Sequence, residues 1–293
     1  MTIPEQINRT TLSIILPCLN ESQSLQTLLT QLKSHYPHAE LIVVDDGSSD
    51  ESANLAEQAG AQVVRHPYSK GNGAAIKSGA RVATGDILVF MDADGQHDPQ
   101  DIERLLAELA LGHDMVVGAR SAKSQANFGR WCANSFYNWL SSWMVGHTIA
   151  DLTSGFRAVK ADKFKEFLYL LPNGFSYPTT ITMAFFRAGY SVGYISIVAH
   201  TRIGKSHIKL LRDGVRFLLI IFKIGTLYAP LKLFGSLSLV FFTLGLSYYI
   251  HTFATTGRFT NMGVLLFITS LLIFLIGLVS EQITQLLYSH KKT

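Results

Sequence analysis

Apolar and polar residues alternate in a regular way through the first 120 positions of the chain. Short, mostly apolar runs predict five buried strands, at residues 12–16, 41–44, 62–64, 87–91 and 115–117. Between the runs, apolar residues recur with the 3.6-residue period of a helix. Two predicted helices have their apolar positions at Leu25, Leu28, Leu29 and Leu32 and at Ile102, Leu105, Leu106 and Leu109. The alternation of strand and helix predicts an α/β fold with a mainly parallel sheet covered on both faces.

The C-terminal part of the chain has a different pattern. Residues 233–257 are 25 consecutive positions without Asp, Glu, Lys or Arg, and residues 259–280 are 22 more. Since about 20 apolar residues span a bilayer, two transmembrane helices are predicted, at about 233–251 and 262–282. The expected organisation is a folded domain over residues 1–200, a juxtamembrane segment over 201–230 and a transmembrane hairpin over 231–293.

Charge divides the chain in the same way. Residues 1–200 carry 15 Lys and Arg against 19 Asp and Glu, whereas residues 201–293 carry 10 against 2. An acidic folded domain argues against binding of nucleic acid. The basic residues before the hairpin have helical spacing, which predicts an amphipathic helix lying on anionic lipid. Its lipid-facing residues are predicted to be Lys205, Lys209, Arg212 and Arg216.

Basic residues on both flanks of the hairpin predict its orientation. Seven Lys and Arg lie in residues 201–232, only Arg258 lies in the connecting loop, and Lys291 and Lys292 lie at the end. By the positive-inside rule both flanks face the cytoplasm. We therefore expect an integral protein of the cytoplasmic membrane with its folded domain in the cytoplasm. The two cysteines are too few for a disulfide framework, and Cys18 in an apolar run is expected to behave as a small hydrophobe.

In parallel sheets, ligands bind at the carboxyl ends of the strands, so the loops there are the candidate site. The loop after the fourth strand carries Asp92 and Asp94, which alternate so that both can reach one hard cation. Oxygen ligands of this kind suit Mg²⁺ or Mn²⁺. For the same reason the amide of Gln96 is a better third ligand than His97.

The loops after the second and third strands are also polar. Asp45 and Asp46 stand side by side, and two adjacent carboxylates indicate hydrogen bonding to the hydroxyl or N–H groups of a ligand. Residues 70–73, Lys-Gly-Asn-Gly, form a glycine-rich turn before a helix, where backbone N–H groups and Lys70 could hold an anion. Neither a P-loop nor a dinucleotide fingerprint is present, which excludes nucleotide kinases and dinucleotide oxidoreductases.

The loop after the first strand, residues 17–21, has the sequence Pro-Cys-Leu-Asn-Glu. Together, the four loops resemble those of the family 2 glycosyltransferases of GT-A fold, and the resemblance covers residues 11–225. Within that family the chain is similar to the polyprenyl-phosphate glycosyltransferases, the group of dolichol-phosphate mannose synthase and the bactoprenol glucosyltransferases. Two segments carry the narrower resemblance. Residues 151–157, Asp-Leu-Thr-Ser-Gly-Phe-Arg, look like an Asp-x-x-Ser-Gly-Phe motif, and residues 202–206, Arg-Ile-Gly-Lys-Ser, look like an Arg-x-Gly-x-Ser segment.

The resemblance implies a role for each matching residue. Donor-binding residues would be Pro17, Glu21, Asp46, Lys70 and Asp92, with the first three lining the base and ribose pocket. The metal would be held by Asp92, Asp94 and Gln96. Phosphates would be bound by Arg120, Arg130 and Arg202. Asp151 would lie at the acceptor, and Asp151 and Arg202 would be catalytic.

The implied function is inverting transfer of one sugar from a nucleotide-diphosphate sugar to a polyprenyl phosphate on the cytoplasmic leaflet. Several choices stay open. They are the nucleotide (UDP or GDP), the lipid chain (undecaprenyl or dolichyl), the oligomeric state, and whether Asp151 is a base or an orienting group. One alternative is an inert membrane scaffold that binds nucleotide sugar. Another is a processive polysaccharide synthase, which is disfavoured because that class carries Gln-x-x-Arg-Trp and more helices, whereas Gln125 and Arg130 are five apart here.

Overall fold

The computed structural model of the chain describes residues 11–120, 128–174, 176–198, 222–223 and 225–289, without the side chains of 128–134 and 287–289. The chain divides into two compact units. The first contains Met1–Ser142 and His147–His207, and the second contains Trp143–Gly146 and Ile208–Thr293.

The first unit contains one sheet of seven strands. Their bounds are Leu12–Cys18 (β1), Glu40–Asp45 (β2), Gln62–Arg65 (β3), Ile87–Phe90 (β4), Met115–Arg120 (β5), Arg157–Lys160 (β6) and Val192–Ile197 (β7). The five strands predicted from apolar runs are present. The sequence does not predict β6 and β7. The strand β6 is only four residues long and has a basic residue at each end, Arg157 and Lys160.

Helices connect the strands. Those up to β7 are Ser22–His35 (α1), Ser52–Gln58 (α2), Asn72–Val82 (α3), Asp101–Ala110 (α4), Phe128–Val145 (α5), Ala161–Lys165 (α6) and Tyr177–Arg187 (α7). The leucines predicted to form the inner face of α1 are its buried residues, and the same holds for the four apolar residues of α4. They belong to one hydrophobic core between helices and sheet.

The strand order is β3-β2-β1-β4-β6-β5-β7, and only β6 runs antiparallel to its neighbours. The prediction of a mainly parallel α/β sheet is confirmed. Because β2 and β4 both pair in parallel with β1, the loops that follow these three strands leave the sheet at the same edge. The antiparallel β6 starts at that edge, so the residues just before Arg157 lie there too.

The second unit contains two long apolar helices, Pro230–Thr256 (α8) and Asn261–Ser289 (α9). Each extends beyond the corresponding predicted span, and by length and composition both could cross a membrane. They are joined by reciprocal hydrogen bonds, because the Ser238 hydroxyl donates to the Ser270 carbonyl (2.8 Å) and the Ser270 hydroxyl donates to the Ser238 carbonyl (3.0 Å). Bonds of this kind hold helices together where the surroundings are apolar.

Candidate active site

The loops after β1 and β2 are joined to each other by hydrogen bonds. The Asn20 backbone is left-handed (φ 58°), a conformation that asparagine tolerates better than most residues. Its N–H donates to the Ser48 hydroxyl (3.0 Å), and its side-chain oxygen accepts the Ser49 N–H (2.8 Å). The N–H of Glu21 donates to the Ser52 hydroxyl (3.0 Å). These bonds fix the two loops as one body at the sheet edge.

Asp46 is buried at the centre of this region and holds the loop that follows β3. Its Oδ1 accepts a bond from His66 Nδ1 (2.7 Å) and from the Lys70 N–H (2.9 Å). Its Oδ2 accepts the Ser69 hydroxyl (2.8 Å) and the Gly71 N–H (2.8 Å). A carboxylate can accept about four hydrogen bonds, so the four donors of the protein occupy all of its acceptor positions.

The glycine-rich turn therefore binds an anion of the protein itself, the Asp46 side chain. The N–H groups of Lys70 and Gly71, expected to hold an anion of a ligand, hold the Asp46 carboxylate. Gly71 has a φ of 102°, a left-handed conformation that glycine adopts without strain. The Lys70 ammonium lies 5.8 Å from the centre of the Tyr68 ring. Contacts of Asp46 and Lys70 with a nucleotide stay predictions.

The loop after β4 has a defined shape. Asp94 is buried, and its Oδ1 accepts the N–H of Gln96 (3.1 Å) across Gly95, which has a φ of 73°. The Ser24 hydroxyl of α1 donates to the Ala93 carbonyl (2.7 Å) and ties the loop to the first helix. Asp92 is half-buried. The loop thus presents two carboxylates and an amide from a fixed backbone.

The chemistry of this loop fits a hard divalent cation. Asp92, Asp94 and the Gln96 amide offer oxygen ligands only. In the part of the chain that the structure describes, no three His, Cys, Asp or Glu side chains gather as a metal site, so an ion here would complete its shell with oxygens of water or substrate. Burial lowers the pKa of His97 to about 4, and its ring stacks on Phe156 (4.9 Å between centroids).

Arg120 and Asp151 form a two-pronged ion pair at the end of β5. Arg120 Nε donates to Asp151 Oδ2 (2.8 Å) and Nη2 donates to Oδ1 (3.1 Å). Nη2 also donates to the Thr153 hydroxyl (2.6 Å). The Asp151 side chain is 7% exposed and that of Arg120 is 31% exposed, so the pair is buried on its acidic side and open on its basic side.

The pair sets the charge state of Asp151. Burial alone would raise the pKa of its carboxyl, but the Arg120 guanidinium and the N–H groups of Arg120 and Thr153 outweigh burial and hold that pKa below its usual range. Asp46 behaves in the same way, because burial is outweighed by His66 and by the N–H groups of Lys70 and Gly71. Both carboxylates are therefore ionised at neutral pH.

The remaining predicted residues have different outcomes. Pro17 lies in β1 opposite Val44, beside the joined loops. The side chain of Arg130 and the residues Arg202, Lys205, Lys209, Arg212 and Arg216 lie outside the described residues. Their predicted roles, and the predicted amphipathic helix, are not tested.

Sequence reasoning missed two buried residues of this region. His66 follows β3 as Asp46 follows β2, and its position at a strand end is the signal that could have found it. Arg157 is the last residue of the 151–157 motif and is fully buried. Nothing in the motif distinguishes a buried arginine from an exposed one.

Comparison with known proteins agrees with this geometry. Residues 13–168 match the family model of glycosyl transferase family 2, and residues 229–286 match the model described as the GtrB C-terminal hairpin. The fold and the acidic strand-end loops are those of a glycosyltransferase. The first match covers more than half of the chain, which therefore belongs to glycosyl transferase family 2.

Individual relatives extend this result. An uncharacterized protein of Methanocaldococcus jannaschii is 30% identical over 178 residues, which cover 56% of this chain and 70% of that protein. An undecaprenyl-phosphate 4-deoxy-4-formamido-L-arabinose transferase of Pseudomonas fluorescens is 33% identical over 192 residues, which cover 57% of this chain and 54% of the transferase. An uncharacterized glycosyltransferase of Mycobacterium tuberculosis is 42% identical over 108 residues, 37% of this chain and 48% of that protein. The chain thus spans about half the length of the last two relatives.

A solved structure shows the same fold. Glucosyl-3-phosphoglycerate synthase of Mycobacterium tuberculosis, in complex with Mn²⁺, uridine diphosphate and glucosyl-3-phosphoglycerate, superposes with a TM-score of 0.62 and 21% identity. The superposition covers 77% of this chain and 84% of the synthase. The predicted GT-A fold is confirmed.

Proposed function

We propose that this chain transfers a single sugar from a nucleotide-diphosphate sugar to a polyprenyl phosphate at a membrane surface. The observation that carries the proposal is the placement of an acidic, oxygen-bearing loop (Asp92, Asp94) and the Arg120–Asp151 pair in one unit of a chain that ends in two apolar helices. The similarity to transferases named for undecaprenyl phosphate supports the choice of acceptor.

Asp92, Asp94 and Gln96 would hold Mg²⁺ or Mn²⁺ against the donor diphosphate. When bound, the ion would offset the negative charge that grows on the leaving nucleoside diphosphate. The fixed loop supports this role, since the bond from the Gln96 N–H to Asp94 Oδ1 holds the loop in one shape. The solved synthase with Mn²⁺ and uridine diphosphate has the same fold, which supports Mn²⁺ as the first ion to try.

Pro17, Glu21, Asp46 and Lys70 would form the nucleotide pocket. The hydrogen bonds between the first two loops support a preformed pocket. Because the Asp46 carboxylate already accepts four bonds, its contribution would be to hold the Lys70 loop in place. Lys70 itself would contact the donor.

Asp151 would orient the acceptor through Arg120. A lipid phosphate has a second pKa of about 6, so at neutral pH it is mostly a dianion and needs little activation. An ionised Asp151 bonded to Arg120 is a weak proton acceptor, which supports the orienting role over that of a base. Arg120, Arg130 and Arg202 would bind phosphates, with Arg202 close to the reacting oxygen. Attack of that oxygen on C1 from the side opposite the diphosphate would invert the anomeric centre.

Residues 201–230 would place the site at the membrane. Lys205, Lys209, Arg212 and Arg216 would bind anionic headgroups, because basic residues near an anionic surface are attracted by about 1 kcal/mol each. The hairpin would lie in the cytoplasmic membrane with residues 1–200 in the cytoplasm. The excess of Lys and Arg on both flanks of the two helices supports this orientation.

The test is a transfer assay in liposomes. Full-length protein, a labelled nucleotide sugar, polyprenyl phosphate and Mn²⁺ should give labelled lipid, and Asp94→Asn or excess EDTA should abolish it. Asp162→Asn, at an exposed position far along the chain from the loop, is the matched control and should keep full activity. Binding of donor without any transfer in the wild type would favour the inert scaffold instead.

A further inference from the structure

The first unit contains a fully buried arginine outside the predicted site residues. Arg157, at the start of β6, has no exposed surface. Among the described residues its Nε has no hydrogen-bond partner, and its Nη1 and Nη2 groups donate to uncharged acceptors. Burying a charged group costs several kcal/mol, so a buried arginine of this kind indicates a specific role.

The guanidinium of Arg157 joins two separate segments. Nη2 donates to the carbonyl of Ser154, in the turn before β6. Nη1 donates to the Pro178 carbonyl (3.3 Å) and to the Thr182 hydroxyl (3.2 Å), both in α7. The guanidinium carbon also lies 5.8 Å from the centre of the Tyr177 ring. Arg157 therefore fixes the turn and the first part of α7 relative to each other.

Both of these segments pack beside Asp92. A Cβ atom built on Gly155 would lie 3.4 and 3.7 Å from the two carboxylate oxygens of Asp92 and 3.3 Å from the Tyr177 hydroxyl. The Tyr177 hydroxyl donates to the Gly155 carbonyl (3.3 Å). Gly155 thus packs beside the Asp92 carboxylate, and the hydrogen bond from Tyr177 in α7 holds Gly155 there.

We infer that Arg157 is a positioning residue for the metal site: it holds the turn at Gly155 and the hydroxyl of Tyr177 so that the Asp92 carboxylate faces the cation. The inference rests on the proposed function, since Asp92 is a ligand only if that function is correct. Arg157 also interacts electrostatically with both Asp92 and Asp151.

Direct binding of Mn²⁺ tests this inference without relying on turnover. The electron paramagnetic resonance signal of free Mn²⁺ is titrated with full-length protein in detergent, first with Mn²⁺ alone and then with UDP added. Mutation of residues that hold metal ligands in position weakens metal binding by about 10–100-fold. We therefore expect Arg157→Met to weaken Mn²⁺ binding at least about tenfold, with Arg157→Lys only partly restoring it, because lysine keeps the charge but not the fork of N–H groups.

Arg65→Met is the matched control, because Arg65 is half-exposed and its ion pair with Glu57 lies at the surface. It should leave Mn²⁺ affinity unchanged. If Arg157→Met does not fold, as judged by its thermal unfolding, Tyr177→Phe decides the question, since it removes only the hydroxyl that supports Gly155. We expect Tyr177→Phe to fold and to bind Mn²⁺ measurably more weakly than the wild type.

Two kinds of failure can be told apart. Folded Arg157→Met, or in its absence folded Tyr177→Phe, with wild-type Mn²⁺ affinity would overturn the positioning role and leave the proposed function standing. A wild-type protein whose Mn²⁺ binding is absent, or is the same in Asp94→Asn, would contradict the metal site itself and the inference with it.

Discussion

Asp151 is held in its ionised form by a two-pronged bond from the guanidinium of Arg120, with N···O distances of 2.8 and 3.1 Å. The acidic partner is buried and the basic partner reaches the surface of the site. Such a pair fixes the direction of the guanidinium plane, and its bonds use Nε and Nη2 of Arg120 but not Nη1. In the proposed function, Arg120 would meet the acceptor phosphate with an orientation set by Asp151.

This pair predicts how activity depends on pH when it is broken. An Asp151 that only orients Arg120 stays ionised at about pH 6 and at about pH 8, so Asp151→Asn should lower the rate of sugar transfer by the same factor at both values. If Asp151 were a general base, Asp151→Asn would lower the rate more at about pH 6, where the acceptor phosphate retains a proton. Initial rates of both proteins at the two pH values decide between the roles. A smaller loss at the higher pH would contradict the orienting role.

The same variant predicts a change in stability. The folded-state pKa of Asp151 is depressed, so its ionised form stabilises the fold at neutral pH, and this contribution is lost as the pH falls through the folded-state pKa, below about pH 4. Asp151→Asn should lower the free energy of unfolding by about 2 kcal/mol at neutral pH. The difference from wild type should shrink on acidification, and a difference that grew instead would show that the carboxyl is not stabilised as an anion.

Asp46 predicts a second stability effect. Its carboxylate accepts bonds from His66, Ser69, Lys70 and Gly71, and an asparagine amide would turn an N–H₂ group towards donors. We expect Asp46→Asn to cost about 2–3 kcal/mol, which corresponds to a melting temperature lower by about 5 °C or more. Thermal unfolding in detergent measures this, with the exposed Asp162→Asn as control. An unchanged melting temperature would mean that the loop does not depend on Asp46.

Cys18 predicts low chemical reactivity. Burial raises the pKa of its thiol to about 11. At about pH 7.5 the thiolate fraction is then about 100-fold smaller than that of a cysteine with a pKa of 9.0. In a Cys132→Ser background, iodoacetamide should label the folded protein at least that much more slowly than the denatured protein. Equal labelling rates would contradict the burial of Cys18.

The apolar helices predict resistance to extraction. The full-length chain should stay in the membrane pellet after washing with alkaline carbonate, because two inserted helices outweigh surface charge. In inverted vesicles, added protease should digest residues 1–200, as expected if that region faces the cytoplasm. Release of intact protein by carbonate would contradict insertion of Pro230–Thr256 and Asn261–Leu286.

The sequence predicts structure well where a local pattern of residue types determines it. Runs of apolar residues predicted β1 to β5, and the leucines of α1 and the apolar set of α4 are buried as their spacing requires. The loops that carry Asp46 and Asp92 lie at the predicted sheet edge because parallel strands that neighbour each other end together. The predicted family follows from the order of these loops, and the family match confirms it.

The sequence could not predict partnerships between distant residues. The oxygens of Asp46 bond to a loop more than 20 residues later, which no local pattern indicates, and the predicted contact of Asp46 with a ligand stays a prediction. Arg120 and Asp151 were each assigned to a substrate, and their bond to each other depends on strand pairing across 31 positions. Arg157 was missed because a charged residue in a short strand looks exposed from sequence alone.

The central claim is the transfer of one sugar to a polyprenyl phosphate, and mass spectrometry of the lipid product tests it most directly. Full-length protein in liposomes is incubated with undecaprenyl phosphate, Mn²⁺ and UDP- or GDP-sugars in turn, and the extracted lipids are analysed together with the released nucleotide. We predict one new lipid with the mass of undecaprenyl phosphate plus a single sugar, an equal amount of nucleoside diphosphate, and neither product with Asp94→Asn. Lipids carrying several sugars, or nucleotide release without any glycosylated lipid, would contradict the account.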